Sequence, residues 1–258
     1  MIDLLAADVH RVLWRPITRA LGVIAIIAIG FAGVVVFFHT AKHPFHPLTG
    51  LRGALGVAAT PLALGGFVLG ASLLGADCTS RALATLLTWE PRRHRVLAAR
   101  AAACAVVTAV AALAVLAVLT VALLPTVLAH GVGASLTSAW YLSTAGLALR
   151  CSLLAAAASA VGVSFAAVGG STAAALAGAG VYALVVEQAA IAVAPSIGRW
   201  LLGPDALSWI AVTRHPSISG RAGPTNGHTV LTAGLLLFAV VVVLQALATT
   251  ALRHRDIA

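Results

Sequence analysis

Gly75-Ala76-Asp77-Cys78-Thr79-Ser80-Arg81-Ala82-Leu83-Ala84-Thr85-Leu86-Leu87-Thr88-Trp89-Glu90-Pro91-Arg92-Arg93-His94-Arg95 is a polar island between two long apolar runs. Its order reads as a hinge at a membrane surface. The short oxygen-bearing side chains of Asp77, Thr79 and Ser80 each suit the cap of a helix start, where they would accept a bond from an orphan amide. From there Leu83, Leu86, Leu87 and Glu90 fall at three- and four-residue spacing, so the leucines form one stripe, with Arg81, Ala84 and Thr88 off it. Pro91 ends the pattern, because its ring disfavours helical geometry at the residue before it. Arg92, Arg93, Arg95 and Arg100 then stand at the mouth of the next apolar run, where anionic headgroups would hold them. Two readings of the island stay open: a solvated basic loop between two spans, or a surface helix gripped by a partner.

Working outward, the composition excludes an ordinary soluble domain. Of 258 residues, 61% are hydrophobic and only 9% charged, against about 25% charged in soluble domains, and mean hydropathy is +1.04. Six apolar runs exceed the ~18 residues that mark a membrane-crossing helix: 17–38, 55–75, 96–129, 147–168, 173–194 and 229–252. The expectation is a single all-α membrane domain over 1–258 with six transmembrane helices. Residues 1–16 form an interfacial helix, with Ile2, Leu5, Val9, Val12 and Leu13 on one side. Pro125 should mark the far end of the third run. The stretch 130–144 lies outside, Gly169-Gly170-Ser171-Thr172 is a tight turn, and 195–228 is the longest outer segment. The net charge of +9 does not point to nucleic acid, because the basic residues gather at span ends and form no continuous patch.

Their distribution sets an orientation. With the N-terminus inside, Arg11, Arg15, Arg19, Arg81, Arg92, Arg93, Arg95, Arg100, Arg253 and Arg255 are cytoplasmic, and Lys42, Arg52, Arg150, Arg199, Arg214 and Arg221 lie opposite. The bias favours both termini in the cytoplasm. Cys78, Cys104 and Cys151 are too scattered for a zinc or disulfide framework. His39, His43 and His46 have ligand-like spacing but no carboxylate or thiol nearby to complete a metal site. The one lysine, Lys42, is not in a phosphate loop of the form GxxxxGK[ST], so the chain has no nucleotide site of that kind.

An acid just after a span, a short helix ending in Leu-Leu, then Pro-Arg-Arg and a basic residue opening the next span resembles the transmembrane permease subunit of bacterial type-2 ATP-binding-cassette (ABC) exporters. The matching residues are Asp77, Leu83, Leu86, Leu87, Pro91, Arg92, Arg93 and Arg100, and the six-span layout with an N-terminal elbow extends the resemblance over nearly the whole chain. The resemblance implies that the segment 76–95 is a cytoplasmic coupling helix, that cytoplasmic ABC ATPase subunits bind it through Asp77, Arg81, Leu83, Leu86, Leu87, Trp89 and Glu90, and that ATP and magnesium sit on those subunits and not here. It also implies a second permease copy or paralogue, with the first and fifth spans near the contact, and residence in the bacterial inner membrane.

Within the runs, Glu187 is the one deep acid, and an unpaired carboxylate in lipid costs several kcal/mol. Glu187 and Gln188 are therefore candidates for a substrate path or gate, against the plainer reading that Glu187 packs with Gln188, Tyr182 or a neighbouring span; Arg150 would reach it or snorkel to headgroups. The alternative function is a proton-coupled secondary transporter using Glu187. Gly66 and Gly70 in the second run permit close helix contact. An intramembrane serine enzyme finds little support, since Gly162-Val163-Ser164-Phe165-Ala166 breaks the GxSxG pattern.

Overall fold

The structure is a computed structural model, and it describes residues 9–10, 14, 20, 47–80, 93–129, 137–193, 201–210 and 229–254. Six helices carry almost all of these: α1 (Pro47–Thr79), α2 (Arg93–Ala129), α3 (Ser138–Gly169), α4 (Thr172–Val193), α5 (Leu202–Ile210) and α6 (Val230–His254). No strand occurs among the described residues. Five helices, α1 to α4 and α6, are long and apolar enough to cross a membrane, the build of a multi-pass membrane protein. The first expected span, 17–38, lies outside the described residues except for Ala20, as do most of the interfacial helix and His39, His43 and His46.

Helix ends follow local chemistry. Thr137 caps α3 by accepting from the Trp140 amide at 3.3 Å, and Ser171 caps α4 by accepting from the Ala174 amide at 3.1 Å. Between α3 and α4 Gly170 takes φ 71°, a left-handed geometry that glycine adopts without strain. The expected turn at 169–172 is thus present. The third run ends as expected: its apolar span closes at Pro125 and the helix α2 runs on to Ala129. Two other boundaries differ from the sequence reading. The stretch 130–144, read as lying outside before a span at 147, already contains the start of α3 at Ser138. The segment 195–228 contains α5. The first turns of α3 carry Ser138, Trp140, Tyr141 and Ser143, and α5 has only nine residues, so apolar length, the signal that finds spans, does not register either.

α3 is the centre of the bundle, in contact with α1, α2, α4, α5 and α6. Its closest neighbour is α1, and the reason is small residues. A Cβ at Gly66 would stand 2.5 Å from the Ala155 carbonyl oxygen and 2.9 Å from Thr108 Cγ2, and one at Gly70 would collide with the Ser159 backbone. In return, Gly162 on α3 sits directly on the Phe67 carbonyl of α1. The small residues of the second run therefore pack within the bundle, where backbones approach closely enough for dispersion to act between them. Hydroxyls inside this contact turn back onto their own helices: Ser72 donates to the Leu69 carbonyl at 2.9 Å and Ser159 to that of Ala156 at 2.8 Å. Such bonds satisfy polar groups where no water is available.

The contacts also fix directions. Arg52 near the start of α1 meets Thr144 and Trp140 near the start of α3, and Gln245 late in α6 reaches Ala160 of α3. α1, α3 and α6 therefore run one way, and α2 and α4 run back. One end of the bundle holds Thr79, Arg93, Gly170 and His254, and is called the basic end below. The other holds Arg52, Trp140, Arg150 and Trp209, and is called the tryptophan end.

Candidate functional site

At the basic end, α1 and α2 bracket segment 81–92. Asp77 lies in the last turns of α1 and Arg100 in the second turn of α2, and the Arg100 Nη1 donates to Asp77 Oδ2 in a buried ion pair. Exposure is 4% for Asp77 and 1% for Arg100. Arg100 Nε and Nη2 are buried without a hydrogen-bond partner among the described residues. A pair this enclosed resists separation, because removing Asp77 would strand the Arg100 charge away from water.

This arrangement corrects two expectations. α1 continues to Thr79, so Asp77 and Thr79 close a helix and do not start one. The Thr79 hydroxyl donates back to the Gly75 and Ala76 carbonyls, and the Ser80 amide bonds the Ala76 carbonyl at 3.0 Å. Arg100 does not join Arg95 at the headgroups. Arg95 is exposed, while Arg100, more than one helical turn deeper, faces inward toward Asp77. The other docking candidates, Arg81, Leu83, Leu86, Leu87, Trp89 and Glu90, lie outside the described residues. Of the N-terminal segment, Val9 packs on the apolar cluster of this end, which includes Leu73, Leu74, Val96 and Leu97, and the exposed Trp14 ring lies 5.8 Å from the His10 ring, centroid to centroid.

At the tryptophan end, α4 contains a π turn over Tyr182–Val186, closed by a bond from the Glu187 amide to the Tyr182 carbonyl. Residues five apart on an ordinary helix point about 140° away from each other. The wider π turn brings Tyr182 and Glu187 toward one face, and both meet the start of α5. The Glu187 carboxylate accepts from the Gly203 amide at 2.6 Å, and the Tyr182 hydroxyl accepts from the Leu202 amide at 3.4 Å. Glu187 is 9% exposed. The buried acid is thus a cap supplied from a neighbouring helix to the N-terminus of α5, where orphan amides and the helix dipole favour negative charge. Gly203 is needed at the contact, since a Cβ there would lie 2.8 Å from Glu187 Oε1.

The remaining partners expected of Glu187 are placed elsewhere. Gln188 is exposed. Arg150 bonds the Gly146 carbonyl at 3.3 Å and the Trp209 carbonyl at 3.4 Å, and the Trp209 indole donates to the Arg150 carbonyl at 2.9 Å. This exchange locks α5 to α3, and Gly234 of α6 lies against the Trp209 ring. Arg52 bonds Ser143 and lies 5.9 Å from the Trp140 ring centroid, a cation over an aromatic face. Ser164 is buried and its hydroxyl donates to the Ala160 carbonyl at 3.1 Å, so this hydroxyl is bonded back to its own helix.

Tyr182, named from the sequence as a neighbour of Glu187, does share its contact with the start of α5. The residues that sequence reasoning missed are Arg100 as an interior partner of Asp77, Gly203 as the partner of Glu187, and Trp209 as the partner of Arg150. The spacing of 23 residues from Asp77 to Arg100 carries no periodic signal; only two opposite charges flanking one hinge could have suggested it. The chain matches no protein-family model and no curated protein.

Proposed function

We propose that this chain is the six-span permease subunit of a bacterial type-2 ABC exporter, forming the substrate pathway and coupling it to separate ATPase subunits. The observation that supports this reading is the buried Asp77–Arg100 pair. Two positions of the sequence pattern, on either side of segment 81–92, act together on one feature of the fold, since they hold together the helix ends from which the segment departs. A push on the segment then displaces α1 and α2 as a unit. α1 lies on α3 through Gly66 and Gly70 with no flexible side chain between them, so its displacement is passed into the bundle. Interfaces of this kind switch between discrete packings.

In this reading an ATPase grips segment 81–92 through Leu83, Leu86, Leu87 and Trp89, with Arg81 and Glu90 at the rim. ATP and magnesium belong to that partner. A second permease copy, or a paralogue, meets this one across the membrane. α4 offers a face for it: Leu176, Val181, Leu184 and Val185 are all exposed. Both termini lie on the cytoplasmic side of the inner membrane. The alternative, proton-coupled transport through Glu187, draws less support, because its carboxylate is engaged at a helix N-terminus.

The test is purification of the full chain in mild detergent from its native membrane, with its partners identified and ATPase activity assayed. A stoichiometric subunit carrying a phosphate loop is expected, and Leu86→Asp with Leu87→Asp should release it while the permease stays inserted. Recovery of the chain alone, under conditions that keep other membrane complexes intact, would sink the ABC reading.

A further inference from the structure

A groove of about 440 Å³ runs between α2, α3 and α6 at the basic end. Its α2 wall is Ala98, Ala102 and Ala105, and its α6 wall is Val241 and Ala246. Methyl groups on both walls leave a slot that the described residues do not fill. Polar groups in it are few, and the deepest is already used: Gln245 Nε2 donates to the Ala160 carbonyl at 3.0 Å, which ties α6 to α3 across the floor. The slot therefore offers water almost no bonding partners and offers an apolar chain continuous dispersion contact.

From Ala105 outward to His94, which lines the mouth, the slot covers about 16 Å of α2 at 1.5 Å per residue. One leaflet of a ~30 Å hydrocarbon core is about 15 Å deep. His94, at the mouth, is exposed, and so is the next residue, Arg95. Depth, apolar lining and a basic rim match one molecule in each part: we infer that the groove binds a phospholipid of the leaflet at the basic end, its acyl chain between α2 and α6 and its anionic headgroup on His94 and Arg95. Basic positions at the membrane surface favour anionic lipid. The inference needs only that these helices span a bilayer, and stands whether or not the chain couples to an ATPase.

The experiment uses the full chain in nanodiscs of phosphatidylcholine containing a minority of phosphatidylglycerol that carries a mid-chain diazirine. After irradiation, adducts are mapped by peptide mass spectrometry. Adducts should concentrate on 94–105 and 241–249, and exceed several-fold those from a phosphatidylcholine probe with the same diazirine. Ala102→Trp, which fills the slot from an exposed position, should reduce them several-fold. His94→Glu with Arg95→Glu should bring phosphatidylglycerol labelling down to the phosphatidylcholine level; these two exposed positions keep the test alive if Ala102→Trp fails to insert. Adducts spread evenly over the groove and the outward face of α4 would overturn the inference. So would protection of the groove from both probes, the result expected if the 17–38 run or a second copy occupies it.

Discussion

Arg100 spends one nitrogen on Asp77 and leaves two without a partner among the described residues, so its burial depends on that single carboxylate. Asp77→Leu alone strands Arg100 and should cost about 3–5 kcal/mol, whereas adding Arg100→Met should recover most of that loss. Thermal unfolding in detergent checks the order: Asp77→Leu below the double replacement. If the pair also transmits motion, the double variant should be stable yet show ATPase activity no longer stimulated by transport. Glu187 gives a contrasting case. Glu187→Gln keeps an oxygen for the Gly203 amide and should change stability little, while Glu187→Ala should lose about 0.5–2 kcal/mol, the usual effect of losing a cap. Equal losses in the two would mean that the charge, and not the hydrogen bond, is what α5 requires. The need for a partner at Glu187 was readable from sequence, because a deep carboxylate demands one. The partner itself was not: Gly203 belongs to a stretch around Pro204 that lacks the length of a span.

At the scale of elements, the α1–α3 crossing is the part of the fold most plainly written in the sequence. Gly66 and Gly70 four residues apart announce a surface without side chains, and Gly162 supplies its counterpart. Gly70→Leu would drive a side chain into the Ser159 backbone, which cannot move aside as a flexible side chain would. Overpacking of this kind costs typically ~1–3 kcal/mol and more against backbone. Gly180 on α4 meets nothing within 4 Å among the described residues, so Gly180→Leu should be accepted by the monomer. Comparing the two by detergent thermal shift separates packing from composition. If Gly180→Leu instead breaks up a complex while leaving the monomer stable, α4 is the face that meets a second copy. The five described spans were legible from apolar length, and their ends less so. α3 begins at Ser138 because Thr137 caps it, a local hydrogen bond that hydropathy does not see, and the π turn at Tyr182–Val186 has no sequence signature at all. What fixes that turn is tertiary, namely two side chains reaching the same helix start.

For the whole molecule the question is which end faces which compartment. α1, α2 and α3 alternate in direction, so Ser80, after α1, and Thr137, before α3, stand at opposite ends of the bundle, and both are exposed. Val9 packs at the basic end and Arg52 lies at the tryptophan end. The chain between them has to pass from one end to the other, and the expected span over 17–38 has the length to do so. A membrane-impermeant maleimide reads this out. In a Cys78→Ala background, Ser80→Cys and Asp3→Cys should label only from the cytoplasmic side, as the excess of basic residues at that end requires. Thr137→Cys and Thr40→Cys should label only from outside, while Cys104 and Cys151, 1% and 0% exposed, should stay unreactive until the protein unfolds. Labelling of Ser80→Cys from outside would invert the molecule and place segment 81–92 beyond the reach of any cytoplasmic ATPase, so the coupling proposal would fail with it. Labelling of Asp3→Cys from the same side as Thr40→Cys would instead remove the first crossing. The chain would then have five spans, and its N-terminal segment would stand across the membrane from the apolar cluster on which Val9 packs. Single-sided labelling of Asp3→Cys opposite to Thr40→Cys is therefore the outcome that agrees with both the place of Val9 and the hydropathy of 17–38.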